Sequence, residues 1–332
     1  MSMFQGLPHA ALAEALNLAD VLLLVMAAAS IAGAVAIGAL PPRHVNGPDR
    51  IPPGRPAWTL LGVVLGGIGA YLFTVTIYIT IKYPPSAQHA APRAPEDYTV
   101  TDNAFLSVAP PLVAFLVLLG GDQIARRTTS QDLGIRPVFM LPGMLAGVFG
   151  ALLVVPPLSF IEVGLEQAYR AIHYEHETEH PMLHLLRAKP SHAIVAAIVV
   201  GACVVAPLAE ELLFRGHIQT LIRRMLARSV SRRMSAAPED FAFPPTPSEG
   251  IPLATEFGPP RPKPWQTWVA ILITSVLFAS LHPLWTAPII FILSVCLGYA
   301  YERTGNLWVP ITIHAAFNSL STAMFLIGLY SS

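Results

Sequence analysis

Residues 191–221 read SHAIVAAIVVGACVVAPLAEELLFRGHIQTL. From Ser191 to Ala209 there is no Asp, Glu, Lys or Arg; Glu210, Glu211 and Arg215 then follow. A membrane span needs about 20 mostly apolar residues. This stretch supplies one, running as a single helix past Glu210 towards Leu221. Charged side chains inside such a helix are costly, so they are functional candidates from the outset.

The composition agrees with a membrane setting. Of 332 residues, 54% are hydrophobic and 12% charged, with a mean hydropathy of +0.56. Soluble domains carry about 25% charged residues, so a water-soluble enzyme is excluded as the default. A disordered chain, which needs low hydrophobicity and high net charge, is excluded too. Net charge is zero, with 20 Lys and Arg against 20 Asp and Glu, and no nucleic-acid partner is implied. Cys203 and Cys296 lie in apolar runs and read as packing residues, not as a disulfide framework.

Eight spans are expected, over 18–40, 58–81, 104–120, 138–161, 191–221, 265–281, 285–301 and 307–329. Pro110 and Pro111 interrupt the third. The sixth and seventh are joined so tightly that they read as a helical hairpin. The expected fold is all-α, a polytopic membrane helical bundle of about eight transmembrane helices. Met1 to Asn17 hold no Lys or Arg, which favours an anchoring first helix over a cleaved signal peptide.

With loop five counted from Arg215 onward, loops after odd-numbered spans carry fifteen of the twenty Lys and Arg, those after even-numbered spans five, and the termini none. The positive-inside rule then places the odd loops in the cytoplasm and both termini outside. The expected location is the cell (inner) membrane. Residues 229–264 hold nine prolines and read as an extended cytoplasmic linker. Two units are expected. Residues 1–190 carry the N-terminal helices and an acidic, histidine-rich extracytoplasmic loop over 162–190. Residues 191–332 form a second helical core that includes the linker. No internal repeat is evident, so an inverted-repeat transporter lacks support.

Few polar groups remain inside the spans: Asp20, Glu210, Glu211, Arg215, His282, and His314 with Asn318. Glu211 and Arg215 are four apart and share a face; a self-neutralising buried ion pair is the plain reading. Glu210 is rotated about 100° from Glu211 and needs a partner on another helix, which suits a general base. His314 and Asn318 also share a face, where a histidine can equally serve a helix–helix hydrogen bond. By helical rise, Glu210 lies roughly 20 Å in from Arg223 and His282 roughly 20 Å from Trp268. His314 and Asn318 lie about 12 and 18 Å from Asn306 on the same scale. The four then meet near one level, although counting from Trp265 moves His282 towards the outer boundary.

Two chemistries fit Glu, His, His and Asn. In one, Glu210 and His282 hold and deprotonate a water that attacks a carbonyl, while His314 and Asn318 stabilise the oxyanion. In the other, Glu210, His282 and His314 ligate zinc, which activates its bound water. The chain has no His-Glu-x-x-His, and nothing in the spacing demands a metal.

Three stretches resemble the motifs of one family. Glu210-Glu211-Leu212-Leu213-Phe214-Arg215 resembles a Glu-Glu pair with an Arg four beyond the second Glu. Phe278-Ala279-Ser280-Leu281-His282 resembles Phe-x-x-x-His, and His314-Ala315-Ala316-Phe317-Asn318 resembles His-x-x-x-Asn. The run from Tyr301 to Pro310 is similar to what precedes the third motif. The family is the CPBP intramembrane peptidases, which include the type II CAAX prenyl endopeptidases. The resemblance covers about residues 190 to 330. It implies a glutamic-type intramembrane endopeptidase without a cofactor, zinc being the less favoured alternative. Glu210 with His282 would activate water, and His314 with Asn318 would form the oxyanion hole. Glu211, Arg215 and Phe278 would be supporting residues. The implied substrate is a membrane-associated or lipidated protein or peptide within the bilayer. The long linker and the histidine-rich loop are not required by the motifs.

Rival classes are a non-catalytic membrane scaffold or immunity protein and a proton-coupled transporter; the complete Glu, His, His, Asn set favours an enzyme. His173, His176, His180 and His184 fall at spacings that would line one helical face. An external metal site or lid stands there against a solvated amphipathic helix lying on the membrane. The Arg223 to Arg233 cluster reads as a headgroup anchor.

Overall fold

The computed structural model describes residues 57–83, 98–126, 134–135, 137–176, 192–235 and 264–330, with 25–26 and 28–29. Among them are seven helices and no strand. These are α1 (Ala57–Lys82), α2 (Val100–Arg126), α3 (Met140–Ala171), α4 (192–235), α5 (Pro264–Ala279), α6 (Ala287–Thr304) and α7 (Trp308–Tyr330). The protein is an all-α membrane helical bundle. The count of eight spans is corrected: five described helices, α1 to α4 and α7, are long and apolar enough to cross a membrane. With 16 residues, α5 reaches only about 24 Å, and α6 carries Glu302 and Arg303 in its last turn. The first expected span lies outside the described residues apart from 25–26 and 28–29, which are helical.

Local chemistry explains several boundaries. A capping box opens α2, four residues before the expected start. The Thr99 N–H donates to Asp102 Oδ2 at 2.8 Å, and the Asp102 N–H donates back to Thr99 Oγ1 at 3.3 Å. Tyr78, Tyr83 and Lys82 also donate to the fully buried Asp102 carboxylate, tying the end of α1 to the start of α2. Pro110 and Pro111 lie inside α2 without ending it. Gly305 closes α6 in the left-handed region at φ 66°, its N–H bonded to Tyr301 O. Asn306 then caps α7, accepting the Trp308 N–H at 3.0 Å.

The central helix is α4. Half of its apolar window is buried, against 17% in α1 and α2, so the other helices surround it and face lipid. It packs against α2, α5 and α7, while α1 lies along α2, α7 along α3, and α5 with α6 forms the expected hairpin. Apolar side chains gain nothing by leaving lipid for one another, so close backbone approach holds such bundles together. A Cβ on Gly201 would sit 2.7 Å from Ser107 O on α2, and one on Gly147 of α3 would sit 2.9 Å from Val309 O on α7. Ala151, Val155 and Leu158 of α3 interlock there with Leu293 and Leu297 of α6 and Ile313 and Phe317 of α7. The outer surface is apolar, with Phe73 at 66% and Leu145 at 62% exposure, as a lipid-facing surface requires. The helix α4 continues to Ser235, so the first seven residues of the expected linker are helical; 236–263 lie outside the described residues.

Candidate active site

Two π-helical segments, Gly201–Val205 and Leu212–Gln219, flank the α-helical turn Ala206–Glu211 that carries both glutamates. Such segments shift the hydrogen-bond ladder by one residue and recur at functional sites. Side chains reach the carbonyls in this stretch: Asn318 Nδ2 donates to Ala202 O at 2.8 Å, His217 Nδ1 to Leu212 O at 2.7 Å, and Thr220 Oγ1 to Arg215 O at 3.1 Å.

Glu211 and Arg215 are fully buried and paired at 2.7 Å. The same Oε1 that accepts Arg215 Nη1 also accepts His314 Nδ1 at 2.9 Å. Arg215 Nη2 reaches across to α6, donating to Ser294 Oγ at 2.8 Å and Ser294 O at 3.2 Å. Its guanidinium lies 4.8 Å over the Phe278 ring. The Phe278 ring also meets Phe214 at 4.9 Å, His282 at 4.9 Å and His314 at 5.8 Å. This one buried aromatic therefore supports all three motif segments.

Glu210 faces away from that pair. Its side chain is 34% exposed, and Oε2 lies 3.9 Å from His314 Nε2. That is too long for a direct hydrogen bond and suits a bridging water.

His282 corrects an expectation. The helix α5 stops at Ala279, so His282 sits in the following turn and not at a helix end. Pro283 supplies the reason, because a residue before proline is pushed away from helical geometry. His282 Nδ1 lies 2.9 Å from Phe278 O. A carbonyl only accepts, so Nδ1 carries the proton and Nε2 is left as an acceptor.

The structure thus brings Glu210, Glu211, Arg215, Phe278, His282 and His314 together. Asn318 lies one turn along α7 from His314, beside the first π segment of α4. Ser294 went unnoticed in the sequence, as did the cluster below it. There Gln219 Nε2 donates to Glu302 Oε1 at 2.9 Å, and Arg223 Nη1 donates to Glu302 Oε2 at 2.7 Å. Arg223 is therefore engaged within the protein. The histidine-rich loop is also corrected. The helix α3 ends at Ala171 and His173 turns out at φ 54°, so His173 and His176 share no helical face; His180 and His184 lie outside the described residues.

As donors, Glu210, His282 and His314 have the chemistry of a catalytic zinc site. Among the described residues, no three His, Cys, Asp or Glu side chains are gathered closely enough to hold a metal ion. No step is therefore derived through one.

The family model described as Type II CAAX prenyl endopeptidase Rce1-like matches residues 192–320. This segment is similar to an Rce1-like domain. The match covers all three motif segments and agrees with the resemblance to the CPBP intramembrane peptidases, and the five long apolar helices make the chain an integral membrane protein. The Rce1-like domain begins with α4 and ends within α7, so it contains every residue of the site; α1 to α3 lie outside it. No curated protein and no solved structure matches the chain.

Proposed function

We propose that the protein is an intramembrane endopeptidase that cleaves membrane-associated or lipidated proteins with a water activated by Glu210 and His282. The observation that carries this reading is the 3.9 Å separation of the part-exposed Glu210 Oε2 from the buried His314 Nε2, which leaves room at the carboxylate for a water and a substrate carbonyl.

The chemistry follows from the proton inventory. A water held by the Glu210 carboxylate and the Nε2 lone pair of His282 gives a proton to Glu210 as its oxygen attacks the peptide carbonyl. Negative charge then develops on the carbonyl oxygen. Asn318 has two amide N–H donors; one is bonded to Ala202 O and the other serves the oxyanion. His314 donates from Nε2 only when both ring nitrogens carry protons, with Glu211 the counter-charge at Nδ1. Glu210 next delivers its proton to the departing amine nitrogen, the C–N bond breaks, and the carboxylate is restored. Glu211, Arg215, Ser294 and Phe278 hold His314 in place.

In this reading residues 191–332 are the catalytic unit, the long loop after α4 is cytoplasmic, and the termini are extracytoplasmic. Proteolysis of a lipidated peptide in liposomes by wild type, Glu210→Ala and His314→Ala tests it. Loss in both variants is expected; equal cleavage in all three would favour a scaffold, and proton flux through Glu210 a transporter.

A further inference from the structure

We infer that Tyr169 and His176, at the end of α3, are positioning residues that clamp Trp285 and thereby hold the turn carrying His282. The inference rests on the proposed role of His282.

The turn between α5 and α6 has little to hold it. Leu281 is 72% exposed and Leu284 82% exposed. Its backbone bonds are short-range, His282 N–H to Ala279 O at 3.1 Å and Thr286 N–H to Pro283 O at 3.0 Å. Segments with few buried contacts open most readily. The His282 ring is fixed at one end of the turn by Phe278 O. Trp285, three residues on, is the other anchor.

Two independent contacts secure Trp285. The Tyr169 hydroxyl donates to its carbonyl at 3.1 Å. The His176 ring stacks on its indole at a centroid distance of 5.0 Å and an interplanar angle of 14°. His176 is itself held, with Nε2 3.2 Å from Glu166 Oε2. It arrives there because α3 ends in a Schellman motif, Tyr174 N–H to Tyr169 O at 2.9 Å and His173 N–H to Arg170 O at 3.2 Å. Glycine is the usual residue at the left-handed position, yet His173 occupies it at φ 54°. Such strain persists where the surroundings over-determine the conformation. Here the reversal brings Tyr174 and His176 back over Tyr169, with ring centroids 5.2 Å away in each case.

The full chain in liposomes allows a test with two readouts: hydrogen exchange of the 280–287 amides and peptidase kinetics. The variants are Tyr169→Phe, His176→Ala and His176→Phe. Tyr169→Phe removes one oxygen and His176→Ala removes the stacked ring; each is expected to speed exchange about tenfold. Each is also expected to lower kcat about tenfold with KM unchanged, because only the placement of His282 is disturbed. His176→Phe keeps a stacked ring and is expected to restore both quantities most of the way. Unchanged exchange, or faster exchange with unchanged kcat, overturns the clamp while leaving the endopeptidase reading intact. A wild type with no peptidase activity removes that reading, and the positioning role with it.

Discussion

His314 is carried by Glu211: its Nδ1 lies 2.9 Å from Glu211 Oε1, an oxygen shared with Arg215 Nη1 at 2.7 Å. The ion pair that looked self-contained in the sequence is thus the mount for a residue 103 positions away. Ser294 and the Phe278 face fix the guanidinium, the guanidinium fixes the carboxylate, and the carboxylate fixes the imidazole. Networks of this kind are stable only when every member is present.

Glu211→Ala is therefore expected to do two separable things. It strands the Arg215 charge in the core, at a cost of about 3–5 kcal/mol, and it frees His314. Adding Arg215→Met removes the stranded charge and is expected to recover most of the thermal stability in detergent, but not the peptidase activity. A double variant as unstable as the single would show that the pairing is not what Glu211 contributes.

Asn318→Asp keeps the side-chain size and removes both donors. It is expected to lower kcat by about 10²- to 10³-fold, the usual effect of losing one oxyanion donor, with a smaller change in KM. Wild-type kcat in this variant would remove Asn318 from the site.

Much of this was legible in the sequence because lipid makes polar residues conspicuous. Glu210, Glu211, Arg215, His282, His314 and Asn318 stand out against an apolar background, and three short spacings tie them together. What was not legible depends on relationships between helices or on backbone register. Ser294 is an unremarked serine in an apolar helix until Arg215 arrives from 79 residues away. The two π segments of α4 have no local signature, yet they lie on either side of the glutamates. Two signals were present and passed over: Pro283, which ends α5 before His282, and Thr99-x-x-Asp102, which opens α2 early. The eight-span count is not met at α5, which has only 16 residues, or at α6, whose last turn carries Glu302 and Arg303.

Glycine substitutions separate packing from mere helicity. Gly147→Val forces a side chain against Val309 O and Thr312 and is expected to destabilise by about 1–3 kcal/mol. Gly62 has no neighbour within 4 Å of an added Cβ, so Gly62→Ala is expected to leave the melting temperature unchanged or slightly raised. Equal effects at the two positions would mean that α3 and α7 do not pack as described.

Chelation distinguishes the two water-activating chemistries. Activity is expected to survive 1,10-phenanthroline, since the proposed steps use only the chain's own side chains. Abolition by chelator and recovery on adding zinc would replace Glu210 as general base with a metal-bound water.

The most direct test is Glu210→Gln in proteoliposomes with a lipidated peptide. The substitution preserves size and replaces the carboxylate with a neutral amide that cannot take a proton. With the melting temperature unchanged, kcat is expected to fall by about 10²- to 10⁴-fold, the span of general-base contributions. A Glu210→Gln protein that cleaves at the wild-type rate would contradict the proposed mechanism.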